Sequence, residues 1–419
     1  MRTVGQFHKV FELDQERMII FDLLLGTHEI VAPDECQAEL DPTYKEYEDR
    51  LKALLAQSRP SELNLVLLPS YACNMRCPYC FEAGMNRSTD RIEVTEISLM
   101  RNQVNELIYR YQPKVVTFTM MGGEPLAEPN KEWFRVFFRG CPQMPVSHDI
   151  MCITNGLDTA SLVDAVEEFN ISSAQVTLDG VERIHNRRRV PISHGVNSFQ
   201  AVVESVDFLI SANRRIELRV NVDFENIPYL KELNDFVLGK GWNHSGCFSA
   251  YLYPITDAGC GGGRVPEMNL LRAVLKELRP VKPLIFKLDF HGMDYINRSL
   301  AGRMFIPRDS FCGASKNQFV FGPFGNISTC WWGSAEDAFQ VGKRGGNGYR
   351  LEESWLAKWR NRNVNEMDTC LSCAYKYVCG GGCAYKANQT SGDIHKGNCA
   401  EFDQLIQGYV SFLVSRGEL

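Results

Sequence analysis

Ten of the fifteen cysteines in this 419-residue chain fall into two patterned groups. The first is Cys73-Asn-Met-Arg-Cys77-Pro-Tyr-Cys80, a C-x3-C-x2-C run. Three thiolates on one tight loop can hold three irons of a cubane cluster, a group normally held by four cysteines. The fourth iron is then open to a chelating ligand. A zinc site or a redox-active thiol pair is the other use of such a run. The second group lies in the last third of the chain. Cys312, Gly325 and Cys330 form C-x12-G-x4-C, Cys370, Cys373, Cys379 and Cys383 form C-x2-C-x5-C-x3-C, and Cys399 follows. Seven cysteines are too many for one tetrahedral metal, and structural zinc fingers would leave odd ligands over. The remaining five, Cys36, Cys141, Cys152, Cys247 and Cys260, are scattered and read mostly as small buried hydrophobes.

The rest of the composition narrows the setting. Hydrophobic residues make up 44% and charged residues 23%, a globular balance with enough chain for two to three domains. A net charge of −6 with no long block of Lys and Arg argues against a nucleic-acid partner. Met1 to Asp14 has no apolar segment of the signal-peptide kind. The longest apolar runs, such as Met18 to Leu25, are strand-length and carry Asp22, so no membrane span is expected. The reading is a cytoplasmic protein. Thiols stay reduced there, so clustered cysteines point to metal rather than to disulfides.

The elements that must position these residues follow from periodicity. Short strands at Phe7–Leu13, Met18–Leu25 and Glu29–Ala32 and a helix at Tyr44–Gln57 make a leading α+β unit over residues 1–62. Six apolar strands follow, at Leu63–Leu68, Val115–Met121, Asp149–Thr154, Ala174–Leu178, Ile216–Val222 and Cys247–Tyr253. Helices are expected between them at Val94–Tyr111, Lys131–Phe138, Ala160–Phe169, Ser198–Ala212 and Tyr229–Leu238. This alternation predicts an α/β fold with a parallel sheet or partial barrel over residues 63–285, its chemistry at the strands' C-terminal ends. The glycine-rich stretch Asp257–Val265 reads as a linker or loop. After about Pro280 the alternation is expected to stop. Residues 286–400 then form a bridging segment and a cysteine-rich domain shaped by metal ligation, and residues 401–419 a closing helix.

Together with Tyr79 before the last cysteine, the Cys73–Cys80 run resembles the signature of the radical S-adenosylmethionine (SAM) superfamily, whose fold is a partial (β/α)6 TIM-like barrel. Three further motifs lie in the family's order at expected strand ends. Gly122-Gly123-Glu124-Pro125 resembles its GGEP motif, Thr154-Asn155-Gly156 its TNG, and Val176-Thr177-Leu178-Asp179-Gly180 its SLDG with Thr for Ser. His185 to Arg189 resembles HDxxR with Asn186 in place of Asp. The resemblance covers about residues 63–255. It implies a [4Fe-4S] cluster on Cys73, Cys77 and Cys80. It also implies SAM contacts from Tyr79, Gly122, Gly123, Glu124, Pro125, Asn155, Thr177, Asp179 and Arg189. Glu124 and the glycine backbone are expected at SAM's ammonium, and Arg189 at its carboxylate. The implied chemistry is reductive cleavage of SAM to a 5′-deoxyadenosyl radical that abstracts a hydrogen from substrate.

The second cysteine group, with Gly380, Gly381 and Gly382, resembles the SPASM domain over about residues 306–400. That resemblance implies two auxiliary [4Fe-4S] clusters, three clusters in all. Cys370, Cys373, Cys379 and Cys399 would hold one completely, and Cys312, Cys330 and Cys383 the other. No cysteine stands about six residues before Cys312, where some relatives have a fourth ligand. An open iron, a non-Cys group or Cys260 would complete the second site. Such proteins mostly modify peptides. The expected function is oxidative crosslinking of a ribosomally made precursor peptide, through a thioether, C–C or C–O bond, with flavodoxin or ferredoxin as electron donor. The alternatives are an anaerobic sulfatase-maturating enzyme, a peptide epimerase using Cys247 or Cys260 as hydrogen donor, and a non-catalytic iron–sulfur electron carrier. Sulfatase-maturating enzymes place an Asp base directly after the cysteine matching Cys330. Here Trp331 and Trp332 follow, read as packing aromatics. The leading unit is either a leader-peptide-binding module or a cap on the barrel.

Overall fold

The computed structural model describes residues 2–3, 6–37, 43–57, 60–85, 90–128, 130–140, 146–256 and 265–419. The leading unit is an antiparallel sheet of β1 (His8–Glu12), β2 (Met18–Asp22) and β3 (Thr27–Val31), followed by α1 (Thr43–Gln57).

The barrel strands are β4 (Glu62–Leu67), β5 (Val115–Met120), β6 (Ser147–Thr154), β7 (Ser173–Thr177), β8 (Arg215–Val222) and β9 (Phe248–Pro254). Each pairs in parallel with the next. All six lie within two residues of their expected bounds. The connecting helices are α2 (Ile97–Tyr111), α3 (Asn130–Arg139), α4 (Thr159–Phe169), α5 (Glu182–Arg188), α6 (Ser198–Ser211), α7 (Leu230–Lys240) and α8 (Glu267–Leu278). β8 shows why the pattern holds. Ile216, Leu218, Val220 and Val222 are buried in the core, while Glu217, Arg219 and Asn221 alternate with them and line cavities.

The alternation does not stop near Pro280 as expected. β10 (Phe286–Leu288) extends the sheet in parallel beside β9, and α9 (Met293–Leu300) follows. β11 (Gln318–Phe321) returns to the opposite edge and runs parallel to β4. β12 (Asn326–Ser328), β13 (Gln340–Gly345) and β14 (Gly348–Leu351) continue antiparallel, giving an eleven-stranded sheet. Strands of three or four residues are too short to show a period, which is why the sequence pattern passes over β10 and β11. β12 runs back antiparallel to β11 and leads directly into Cys330, Trp331 and Trp332.

The remaining helices are α10 (Glu353–Arg360), α11 (Lys376–Cys379), α12 (Ala384–Ser391) and α13 (Phe402–Arg416), the last close to the expected closing helix. α13 packs on α8 and β1. Glu48 of α1 pairs with Lys376 of α11 at 2.6 Å, both side chains buried. Tyr295 Oη of α9 donates to Asp22 O at 2.7 Å. The leading unit is therefore seated on the C-terminal part of the chain. No helix among the described residues is long and apolar enough to cross a membrane.

Candidate active site

β4 delivers the chain into the loop that carries Cys73, Cys77 and Cys80. The loop is tied to the segment after α5, with Arg76 N donating to Val190 O at 2.7 Å and Ile192 N to Asn74 O at 2.9 Å. It is also laid against the turn after β5, where Glu124 N donates to Ala72 O at 2.8 Å. Gly122 and Gly123 sit at φ +103° and +52°. A Cβ on Gly123 would stand 2.0 Å from Ala72 O, and one on Gly122 2.5 Å from Leu68 Cγ. The glycines are thus required by the close approach of the cysteine loop's own backbone.

The three cysteines, Tyr79, Gly122 and Gly123 line one cavity of about 220 Å3. Asn155, Thr177 and Arg189 line it from the ends of β6 and β7 and from beyond α5. Glu124, Pro125 and Asp179 are not in its wall. The Glu124 carboxylate accepts from Thr154 Oγ1 at 2.7 Å, Asn155 N at 2.7 Å and Leu126 N at 3.1 Å. Its three donors are the chain's own, and they lock the turn after β5 to the turn after β6. Asp179, with no exposure, accepts from Tyr79 Oη and from Asn221 N. It thereby fixes the tyrosine that faces the cavity. Burial and the Asp179 charge push the Tyr79 hydroxyl well above its ordinary range, so it acts as a donor. His185 accepts from Asp179 N at 3.2 Å, and burial together with the charges of Arg189 and Arg188 keeps its imidazole neutral.

The two adjacent arginines divide their work. Arg188 Nη1 donates to both oxygens of Asp223 at 2.8 Å, a structural pair. Arg189 Nη1 donates to Tyr79 Oη at 3.3 Å, while its buried Nε has no partner.

Other groups in the wall escaped the sequence reading. Glu82 is 5% exposed; one oxygen accepts from Gly123 N at 3.0 Å and the other has no partner. Burial pushes its carboxyl up to about 7. Arg219, Asn221, Tyr253 and Lys386 complete the polar wall, with Arg219 4.0 Å from the Tyr253 ring centroid. Alternation along β8 was the available signal for Arg219 and Asn221. Nothing local marked Glu82 or Lys386. Trp331 and Trp332 also face the cavity, and Trp332 stacks on Phe81 at 4.7 Å. They are packing residues and cavity wall at once. Unpaired carboxylate oxygen, unpaired guanidinium nitrogen and three thiols in one enclosed wall suit a zwitterionic, metal-chelating ligand such as SAM.

Cys370, Cys373, Cys379 and Cys399 line a separate cavity of about 280 Å3. Cys330 feels the charges of both Cys383 and Cys312, which places those three together. Burial raises several of these thiols, Cys73 to about 11 and Cys80 and Cys379 to about 12. Such thiols ionise when a metal cation supplies the opposing charge. No group of three His, Cys, Asp or Glu among the described residues converges on a single ion, the arrangement tetrahedral zinc needs. Thiols spread around a cavity suit a cluster in which each binds its own iron.

Cys152 is fully buried in β6. Cys247 precedes Phe248 at the start of β9, whereas Pro254 at the other end lines the cavity. Seven residues of strand separate them by roughly 23 Å. Cys141, Cys260 and the Cys36 side chain lie outside the described residues, as does nearly all of the expected Asp257–Val265 loop.

Residues 67–237 match the family model of the Radical SAM superfamily, and they form a radical SAM domain. A probable GTP 3′,8-cyclase from Methanocella arvoryzae is 27% identical over 176 residues, 40% of this chain and 50% of that protein. The chain thus spans about half the length of that curated relative. An uncharacterized protein from Archaeoglobus fulgidus is 22% identical over 89% of this chain and 88% of its own length. Among solved structures, anSMEcpe with bound AdoMet superposes with a TM-score of 0.59 at 17% identity, covering 84% of this chain and 96% of that one. Streptococcus suis SuiB bound to precursor peptide SuiA gives 0.55 at 14% identity, covering 95% and 99%. These likenesses show a shared fold: a large, mostly parallel α/β sheet of the partial-barrel kind.

Proposed function

We propose that this radical SAM enzyme modifies a peptide, coupling two of its atoms in an oxidative crosslink. The observation that carries the reading is the composition of one cavity wall. It joins the three-cysteine loop and strand-end residues to Trp331, Trp332 and Lys386 of the C-terminal cysteine-rich region. Substrate held there lies between the radical source and Cys330, one residue from Trp331.

By this reading Cys73, Cys77 and Cys80 hold one [4Fe-4S] cluster. Cys370, Cys373, Cys379 and Cys399 hold a second, and Cys312, Cys330 and Cys383 a third. SAM bound beside the first cluster would supply a hydrogen-abstracting radical, with a flavodoxin or ferredoxin reducing the cluster. The chain's own residues bind and orient. Glu82 and the Gly122-Gly123 backbone offer partners to SAM's ammonium, and Arg189 Nε offers one to its carboxylate. Asn155 and Thr177 are placed to hold the remaining polar edge. The Trp331–Trp332–Phe81 wall excludes water from a reactive intermediate. Electrons leaving an oxidised substrate have the auxiliary sites as a nearby exit.

Three considerations support peptide as the substrate class. The structures alike over most of this chain include one solved with a precursor peptide. The likeness to the GTP cyclase is confined to 40% of this chain. At the position after Cys330, Trp331 offers no base for formylglycine formation. Cys247 is remote from the cavity, so the epimerase alternative lacks that hydrogen donor.

The test is co-expression with any short peptide encoded beside the gene, followed by mass spectrometry. Loss of two hydrogens per crosslink is expected. An unchanged mass with one residue inverted favours epimerisation, and formylglycine from a Cys or Ser peptide overturns crosslinking. Anaerobic reconstitution should give about twelve irons per chain.

A further inference from the structure

Arg362 follows α10 and is 1% exposed. Its Nε donates to Ile394 O, and its Nη2 donates to Gly381 O at 3.1 Å and Gly382 O at 2.9 Å. Those two carbonyls belong to the segment that joins Cys379 to Cys383. Cys379 lines the four-cysteine cavity, and Cys383 groups with Cys312 and Cys330. The guanidinium is thus clamped to the shortest covalent link between the two sites. The link itself has one available shape. Gly380, Gly381 and Gly382 take φ of +67°, +82° and +70°, and a Cβ on Gly382 would stand 2.1 Å from Asn398 O.

The hydrogen bonds satisfy Nε and Nη2 but leave the charge. Among the described residues no carboxylate pairs with Arg362; its bonded partners are carbonyl oxygens. A buried cation without an anion is strongly disfavoured. Burial does work against this one, and the groups that oppose it are thiols: Cys312 and Cys383 of one set, Cys370 and Cys379 of the other. Thiolates bound to iron clusters supply the missing negative charge on both sides.

We propose that Arg362 is the shared counter-cation of the two auxiliary clusters and holds both at a more positive reduction potential. This rests on reading the two cysteine sets as iron–sulfur sites. Each cluster takes up one electron on reduction, adding one negative charge beside a fixed positive one. The reduced form is therefore favoured at both sites together.

The experiment uses the full chain with Cys73, Cys77 and Cys80 replaced by Ala, so that only auxiliary clusters remain after reconstitution with iron and sulfide. Iron is counted, and the potentials are read by EPR-monitored titration. Arg362→Met removes the charge and keeps the bulk; Arg362→Lys restores the charge with fewer hydrogen bonds. The expected result is that Arg362→Met moves both potentials negative by at least tenfold in the redox equilibrium, about 59 mV for a one-electron couple. Arg362→Lys should return most of that shift. Iron loss in the Met variant with retention in the Lys variant also supports the charge. Unchanged potentials in an iron-replete Met variant overturn the proposal, as does a Lys variant that behaves like the Met variant in potential or in iron loss. A background chain that binds no auxiliary iron defeats the cluster reading instead, and is recognised before any Arg362 variant is made.

Discussion

The two cysteine regions meet at one cavity but are held by different means. The Cys73–Cys80 loop hangs from β4, and its neighbours are the ends of buried parallel strands. Leu63, Leu65, Val66 and Leu67 beneath it are fully buried. The segment from Met367 to Cys399 has two short helices, no strand, and three consecutive left-handed glycines packed against Ser310, Met367 and Asn398. In the first region a prebuilt scaffold presents the ligands. In the second the ligands lie among turns and two short helices, so the metal should contribute to folding itself.

The largest expected effect tests that contrast. Replacing Cys73, Cys77 and Cys80 together by Ala should abolish 5′-deoxyadenosine formation, remove about four of about twelve irons and leave thermal unfolding nearly unchanged. Cys379→Ala should release iron from its site and open residues 367–399 to protease, since structural metal sites contribute on the order of 10 kcal/mol to folding. Limited proteolysis with iron analysis checks both. Equal protease resistance in the two variants would break the contrast.

The second effect sharpens how the leading unit is fastened to the cysteine-rich side. Glu48 and Lys376 form a buried pair at 2.6 Å across the two regions. Glu48→Ala leaves the ammonium buried and should cost about 3 kcal/mol, with Lys376→Met in the same chain recovering most of it. Burial raises the Glu48 carboxyl, but hydrogen bonds from Lys376 and Lys52 outweigh that and hold it below its ordinary value. Its stabilising share is therefore complete above the ordinary carboxylate pKa of about 4.3 and is lost as pH falls through the lower folded value. Denaturant titrations of wild type and Glu48→Gln should converge once the pH has fallen through that lower folded value. A difference that persists there contradicts the pairing.

The same contrast explains what the sequence disclosed. Strands β4 to β9 were legible because each buries an apolar run long enough to show its period, and the motif residues sit at their ends. Residues joined by long-range geometry were not. β11 and β12 are only four and three residues, yet they lead the chain to Trp331 and Trp332 in the wall that the first cysteine loop also lines. Glu124 carries the expected motif but spends its carboxylate on Thr154, Asn155 and Leu126, while Glu82, in no motif read here, keeps an unpaired oxygen toward the cavity. Gly122 and Gly123 line the cavity and also admit the close approach of the loop backbone. A motif in sequence identifies a turn; which side chain faces the ligand is settled by what that turn packs against.

Within the strand-end region, Arg189 and Tyr79 allow a finer test. Arg189→Ala removes a charge from the cavity wall whose Nε is unpartnered, so SAM affinity should fall roughly ten- to a hundredfold by equilibrium dialysis. An unchanged affinity would misplace the carboxylate end of the ligand.

Tyr79→Phe should do less, and the reason lies in what the hydroxyl holds. It donates to Asp179, and Arg189 Nη1 and Asn221 Nδ2 reach it at 3.3 and 3.4 Å. Removing it deprives a fully buried carboxylate of one donor. Asp179 keeps Asn221 N at 2.9 Å, and Arg188 Nε, which has no hydrogen-bond partner, stands 3.9 Å from its other oxygen. A small shift of Arg188 makes good part of the loss, and the Phe ring keeps the stacking of Arg188 at 5.1 Å. The stability cost should be about 1 kcal/mol, the value of one ordinary hydrogen bond. SAM affinity should fall only a few-fold, since Arg189 loses an orienting contact and keeps its charge. Denaturation and equilibrium dialysis on the same preparations separate the two readouts. A Tyr79→Phe variant that binds SAM as weakly as Arg189→Ala would make the hydroxyl itself a ligand contact, and the division between holding and binding groups at these strand ends would have to be redrawn.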